Sequence, residues 1–287
     1  MRSAVTRRPA GRAPLRRTRP VKRSSAGLSP ARAGAALAML LSAAAIYGVG
    51  ASSAFEFREL EIDGLVFTDR EEVVEVVDEV RGANLFRLST APLAARLREI
   101  PTVVDARIGV ALPGTVSVRL VERVPILVWR VGERRYLVDE GGLLLGRLDE
   151  APPEDAEALP VVTDRRAASA GLSVGTRLDP VDVDAATRLA SLTPAQVGSR
   201  AERLAVLLND AHGFEVRAHP GGWTAVFGFY TASLRRTDIV PGQVRLLGAL
   251  IAEAGEERID SLILADEDDG SYVPRATPRP SPSPSPS

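Results

Sequence analysis

The chain has 287 residues, a formal charge of −1, 45% hydrophobic residues and no cysteine. Ten of its 36 basic residues precede Ala33 and none of its 37 acids does, so the rest carries −11. That acidic balance argues against nucleic acid as a partner of the main part, because binding it requires phosphate neutralisation by Lys and Arg. Without cysteine there is no disulfide framework, and stability has to come from apolar burial.

Residues 1–32 mix Arg, Pro, Ser and Gly and are expected to be a disordered basic tail. Residues 33–54 hold no charged side chain. At ~1.5 Å per residue a helix of this length crosses a hydrocarbon core of ~30 Å. Basic residues on one side place the N-terminus in the cytoplasm and everything after Phe55 outside. Two rival readings remain: a secretory signal cleaved near Ala51–Ala54, and a buried helix of a soluble fold. The 32-residue basic region exceeds a usual n-region, and the apolar stretch exceeds an h-region of ~7–15 residues. Both favour an uncleaved anchor.

After the span, Arg58 to Ile62 alternates apolar and acidic residues, which predicts a strand. Thr68 and Glu71 have capping-box spacing. Val73, Val76, Val77 and Val80 then fall on one helical face. A second helix is expected from Thr90, with Pro92 in its first turn and Pro101 as its limit. Strands follow over Val103–Val110 and Thr115–Val121, with Leu112-Pro113-Gly114 between them. Two helices on one face of a three-stranded sheet make a small α+β sandwich.

Beyond it, Val128–Arg130, Tyr136–Asp139 and Leu143–Leu145 read as short strands with Gly-containing turns. Residues 149–158, acidic and Pro-rich, read as a surface loop. Asp179-Pro180 predicts a helix start. Glu202–Leu208 is ambiguous: Ser199 and Glu202 have capping-box spacing, whereas a strand is what the family resemblance given below implies. Phe214–Ala218 and Trp223–Phe229 read as a hairpin, Gln243–Ala254 as a helix and Ile259–Leu264 as a strong strand. Ser271–Val273 is expected to pair back after the acidic turn Asp266–Asp269. The alternating Pro and Ser of 280–287 predicts an extended tail.

These residues resemble the FtsQ/DivIB family of bacterial cell-division proteins. The resemblance is carried by Phe57–Gly64, Asn84-Leu85-Phe86 and Ile100–Ala106. It is carried also by Val121-Glu122-Arg123-Val124-Pro125 followed by Trp129 and Leu137-Val138-Asp139. Residues 33–145 match well and 146–273 match in order. One departure is the absence of an Arg after Ile259-Asp260.

The resemblance implies a basic cytoplasmic tail (1–32), a transmembrane helix (33–54) and a POTRA domain (55–122) of strand-helix-helix-strand-strand order. A β-rich FtsQ-type domain (123–273) and a loose tail (274–287) complete it. It implies a non-enzymatic divisome scaffold at the septum, without cofactor. FtsB/DivIC-like and FtsL-like proteins would be its partners, and other divisome components would meet the POTRA domain. An open sheet edge can accept a partner strand. The resemblance places that edge near Ile259, Ser261, Leu262, Ile263 and Leu264, with Tyr272 and Val273.

Enzymatic readings find little support. His212 and His219 stand near turns with no accompanying metal motif. Asp266–Gly270 lacks the alternating ligands of a calcium loop. Arg119, Glu122 and Arg123 read as the exposed face of a strand, and Trp129 and Trp223 as core aromatics. A POTRA-containing component of another envelope process, such as protein translocation, and a membrane-anchored extracellular enzyme are the alternatives.

Overall fold

The computed structural model describes residues 29–148, 154–233 and 235–276. The expectations for the tail at 1–28, for part of the acidic loop and for the Pro/Ser run at 280–287 lie outside the described residues. The chain divides into two compact units, one up to Ser52 and one from Ser53 onward.

The first unit is helix α1, Pro30–Ala51, with Ser29 as N-cap. Among the described residues it is the one helix long and apolar enough to cross a membrane. Its large side chains are exposed, Met39 by 77% and Ile46 by 74%. It is therefore not the buried core helix of a soluble fold.

The second unit contains two sheets. The smaller has the order β1-β3-β2. Strand β1 (Glu59–Asp63) runs parallel to β3 (Thr115–Glu122), and β2 (Val103–Ala111) runs antiparallel to it. Helices α2 (Arg70–Asp78) and α3 (Thr90–Leu97) stand between β1 and β2 in the chain. Phe57, Val73, Val77, Leu97, Val116 and Val118 form the core of this α+β layer. The order is the one expected.

The capping-box reading at Thr68 fails. Asp69 caps α2 by accepting from the Glu71 amide at 3.1 Å. The Thr68 hydroxyl is taken by Thr102, 34 residues away, at 2.7 Å.

The second sheet has nine strands in the order β12-β11-β10-β9-β8-β7-β4-β5-β6. These are β4 (Pro125–Val131), β5 (Arg134–Asp139), β6 (Leu144–Arg147), β7 (Val161–Asp164), β8 (Arg203–Asn209), β9 (Gly213–His219), β10 (Thr224–Gly228), β11 (Ile259–Leu264) and β12 (Gly270–Pro274). Helices α5 (Pro180–Ala190) and α6 (Val240–Ala254) share the main core with one face of the sheet. That core contains Trp129, Trp223, Phe214, Phe227, Leu189 and Leu247, all inaccessible to solvent. Both tryptophans are core aromatics, as expected.

Asp179 caps α5 through the Val181 amide at 2.8 Å, with Pro180 at its start. Residues 154–157, expected as loop, form a single helical turn, α4. Residues 203–209 are strand, paired with β7 and β9; the Ser199 hydroxyl accepts the Ala201 amide at 3.1 Å and donates to the Glu256 carboxylate, starting no helix.

Candidate partner-binding edge

The nine-stranded sheet has two ends, and they differ. At one end β6 is covered. The Leu144 amide donates to the Thr176 carbonyl at 2.9 Å, and the Gly175 amide donates to the Leu144 carbonyl at 2.8 Å. Gly146 lies so close to the smaller sheet that an added Cβ would be 3.8 Å from the Thr102 methyl.

Glu122, in β3, holds the connection between β1 and α2 at this end. Its carboxylate accepts the amides of Val66, Phe67 and Thr68 at 2.8–3.0 Å. Phe67 packs against Val128, Leu137, Leu145 and Leu148 on the sheet face away from α5 and α6. Arg123 donates to the Pro101 carbonyl at 3.0 Å and pairs with Asp139 at 3.5 Å. Arg123 therefore joins the two sheets directly and Glu122 does so only through Phe67, so neither merely lines an exposed strand face. Arg119 is exposed, beside Asp63 at 3.5 Å.

At the other end stands β12, paired with β11 alone. The strand pairs are Ser261 with Val273, Leu262 with Tyr272, Ile263 with Ser271 and Leu264 with Gly270. Strand β11 also pairs in parallel with β10 through Ser261, Leu262 and Ile263. Its backbone is thus engaged on both sides, so of the expected edge residues only Tyr272 and Val273 stand on the outermost strand. Of the seven residues singled out, Ile259, Leu262 and Leu264 are core. Ser261 is half-buried, and Ile263, Tyr272 and Val273 are 49%, 41% and 48% exposed.

A buried polar network holds the β11–β12 hairpin in place. The Leu264 carbonyl accepts from Gln243 Nε2 at 2.8 Å and from Arg235 at 2.7 Å. Gln243 is inaccessible to solvent and accepts the Tyr230 hydroxyl at 2.7 Å. Burial pushes the Tyr230 phenol pKa upward, keeping it a neutral donor. Gln243 lies four and eight residues before Leu247 and Ile251, both buried. A polar residue on that apolar stripe was the sequence signal for this network, and the reading above missed it.

Ahead of β11, Glu256 binds the Ser199 hydroxyl, the Arg200 amide at 2.9 Å and the Trp223 indole at 3.0 Å. Burial acts to raise its pKa, and these donors outweigh it, so the net shift is downward. Past β12, the Arg275 amide donates to the Arg258 carbonyl at 2.7 Å.

The histidines lie apart from this edge. His212 Nδ1 is 2.9 Å from Glu215, which Arg217 also binds at 2.7 Å. Among the described residues no group of His, Cys, Asp or Glu is arranged to hold a metal.

Among the described residues the arrangement is that of a two-sheet protein with one sheet end sealed internally and the other bare. The smaller sheet with its two helices defines the class: residues 55–123 match the model of the POTRA domain, FtsQ-type. The chain is 32% identical over 176 residues to a cell division protein FtsQ of Chloroflexus aggregans, covering 61% of this chain and 62% of that one. It is 28% identical over 220 residues to a cell division protein FtsQ of Mycobacteroides abscessus, covering 74% and 62%. The likeness to the FtsQ/DivIB family read from the residues is borne out by both comparisons. The chain spans about three fifths of the length of these curated relatives.

Proposed function

We propose that this protein is a membrane-anchored, non-enzymatic scaffold of the bacterial division machinery. Helix α1 is its single span, with the basic tail in the cytoplasm and both sheets outside. FtsB/DivIC-like and FtsL-like proteins are its partners at the septum, where it helps control septal peptidoglycan synthesis, and the POTRA region meets other divisome components. The bare edge of β12 carries this reading. An unpaired strand edge presents backbone donors and acceptors to an added strand, and flanking side chains set its register. Tyr272 and Val273 are those flanking side chains, exposed beside the open edge. The relatives' shared description as cell division proteins supports the setting.

The test is capture of the outer segments of FtsB-like and FtsL-like proteins by the full chain in lipid nanodiscs. The comparison protein carries Tyr272→Ala with Val273→Asp. Both positions are about half exposed, so the fold is expected to persist at a cost of roughly 1–2 kcal/mol, while capture is lost. Undiminished capture by a folded double variant would reject β12 as the edge.

A further inference from the structure

Leaving α1, the chain is fastened at once to one end of the POTRA region. The Phe57 amide donates to the Ala83 carbonyl at 2.9 Å, and the Leu85 amide to the Phe55 carbonyl at 2.8 Å. The Arg58 and Glu59 amides both donate to the Gly114 carbonyl, at 2.9 and 3.1 Å. Thus the entering segment, the connection between α2 and α3, and the turn between β2 and β3 all meet at the same end.

That end exposes large apolar side chains. Phe86 is 52% exposed and Leu112 is 54% exposed. Phe86 is held out by an Asx turn, its own amide bonding the Asn84 side chain at 3.0 Å. Its ring meets Phe55 edge-on, with centroids 5.0 Å apart. Arg58 and Arg87, both exposed, flank the pair. Single exposed apolar residues need no explanation. Here an aromatic pair, a leucine and two arginines gather at the end where the chain enters.

Covalent reach says what covers them. Phe55 is four residues past Ala51, where α1 ends, so at ~3.6 Å per residue its backbone lies within roughly 14 Å of the helix end. If α1 spans a bilayer, that reach takes in the headgroup layer, about 5–8 Å thick on each side, where aromatic rings and arginines are enriched.

We infer that Phe55, Phe86 and Leu112 form a lipid-contacting foot, which seats the span-proximal end of the POTRA region in the outer interface of the membrane. The inference rests on reading α1 as a span. It assigns the α2–α3 connection to lipid and not to a protein partner.

The test uses tryptophan fluorescence in the full chain, in nanodiscs of phosphatidylcholine and phosphatidylglycerol. The native Trp129 and Trp223 are inaccessible to solvent and set a constant background. Phe86→Trp and, separately, Leu112→Trp are measured with nitroxide carried on the headgroup or deep on the acyl chain. A third variant, Ile46→Trp, reports on α1. The expected result is loss of emission at 86 and 112 with the headgroup label and at 46 with the deep label. Quenching at 86 and 112 by aqueous iodide alone, with 46 still quenched by the deep label, would overturn the foot and leave the span standing. Failure of the deep label to quench at 46 would overturn the span, and the foot with it.

Discussion

The two ends of the nine-stranded sheet solve the same problem differently. At β6 the exposed backbone is covered by residues 175–176 and by the close approach of Thr102, with Glu122 and Phe67 holding the two sheets together. At β12 no further strand pairs among the described residues, and the flanking side chains Tyr272 and Val273 are exposed. An unprotected edge is an aggregation hazard that proteins ordinarily blunt with charge, proline or cover. Gly270–Pro274 carries no charged residue and has its one proline at the far end. An edge left bare beside one so thoroughly sealed is what a strand-accepting surface requires.

The contrast can be broken from either side. The largest effect is expected from Leu262→Pro. Leu262 is fully buried and paired with both Ala225 and Tyr272. Proline there removes a ladder hydrogen bond and core volume together, at a cost of about 3 kcal/mol or more. Circular dichroism should report a lost or much weakened fold, so this variant cannot serve as a clean binding mutant.

Glu122→Ala attacks the sealed end. It orphans three backbone amides and should destabilise by about 2–3 kcal/mol, read by urea unfolding. Glu122→Gln, which keeps an acceptor, should recover part of that.

Gln243→Leu strikes the template behind the open edge. It leaves the Tyr230 hydroxyl without its partner and removes one of two donors on the Leu264 carbonyl. A loss of about 1–3 kcal/mol is expected, with faster hydrogen exchange concentrated in 262–274.

A smaller, pH-dependent effect belongs to Glu256. Its folded pKa lies below the ordinary 4.5. Its contribution is therefore complete above that value and lost as pH falls through the folded one. Thermal stability should be flat above about pH 5 and decline below about pH 4, and Glu256→Gln should flatten the decline.

The sequence was most legible where structure is local. Asp179-Pro180 announces α5 because the cap and its amide partner are two residues apart. The valine stripe of α2 and the alternation of β3 were legible for the same reason. Reading failed where a side chain answers to a distant one. Thr68 looks like a cap until Thr102 takes its hydroxyl, and Ser199 looks like one until Glu256, 57 residues away, does.

The expected edge took in two strands, β11 and β12, and they are legible to different degrees for a physical reason. Ile259–Leu264 stands out because it is apolar enough to be buried between neighbours, and a strand so buried is not an edge. Strand β12 reads weakly because its side chains are largely exposed.

The most direct measurement is hydrogen–deuterium exchange on the full chain in nanodiscs, with and without the outer segment of the FtsB-like protein. Strand addition at β12 is expected to slow exchange at 270–274 and leave β11, already paired on both sides, unchanged. Unchanged exchange at 270–274, with new protection in the POTRA region or along α6, would contradict the open edge as the docking surface.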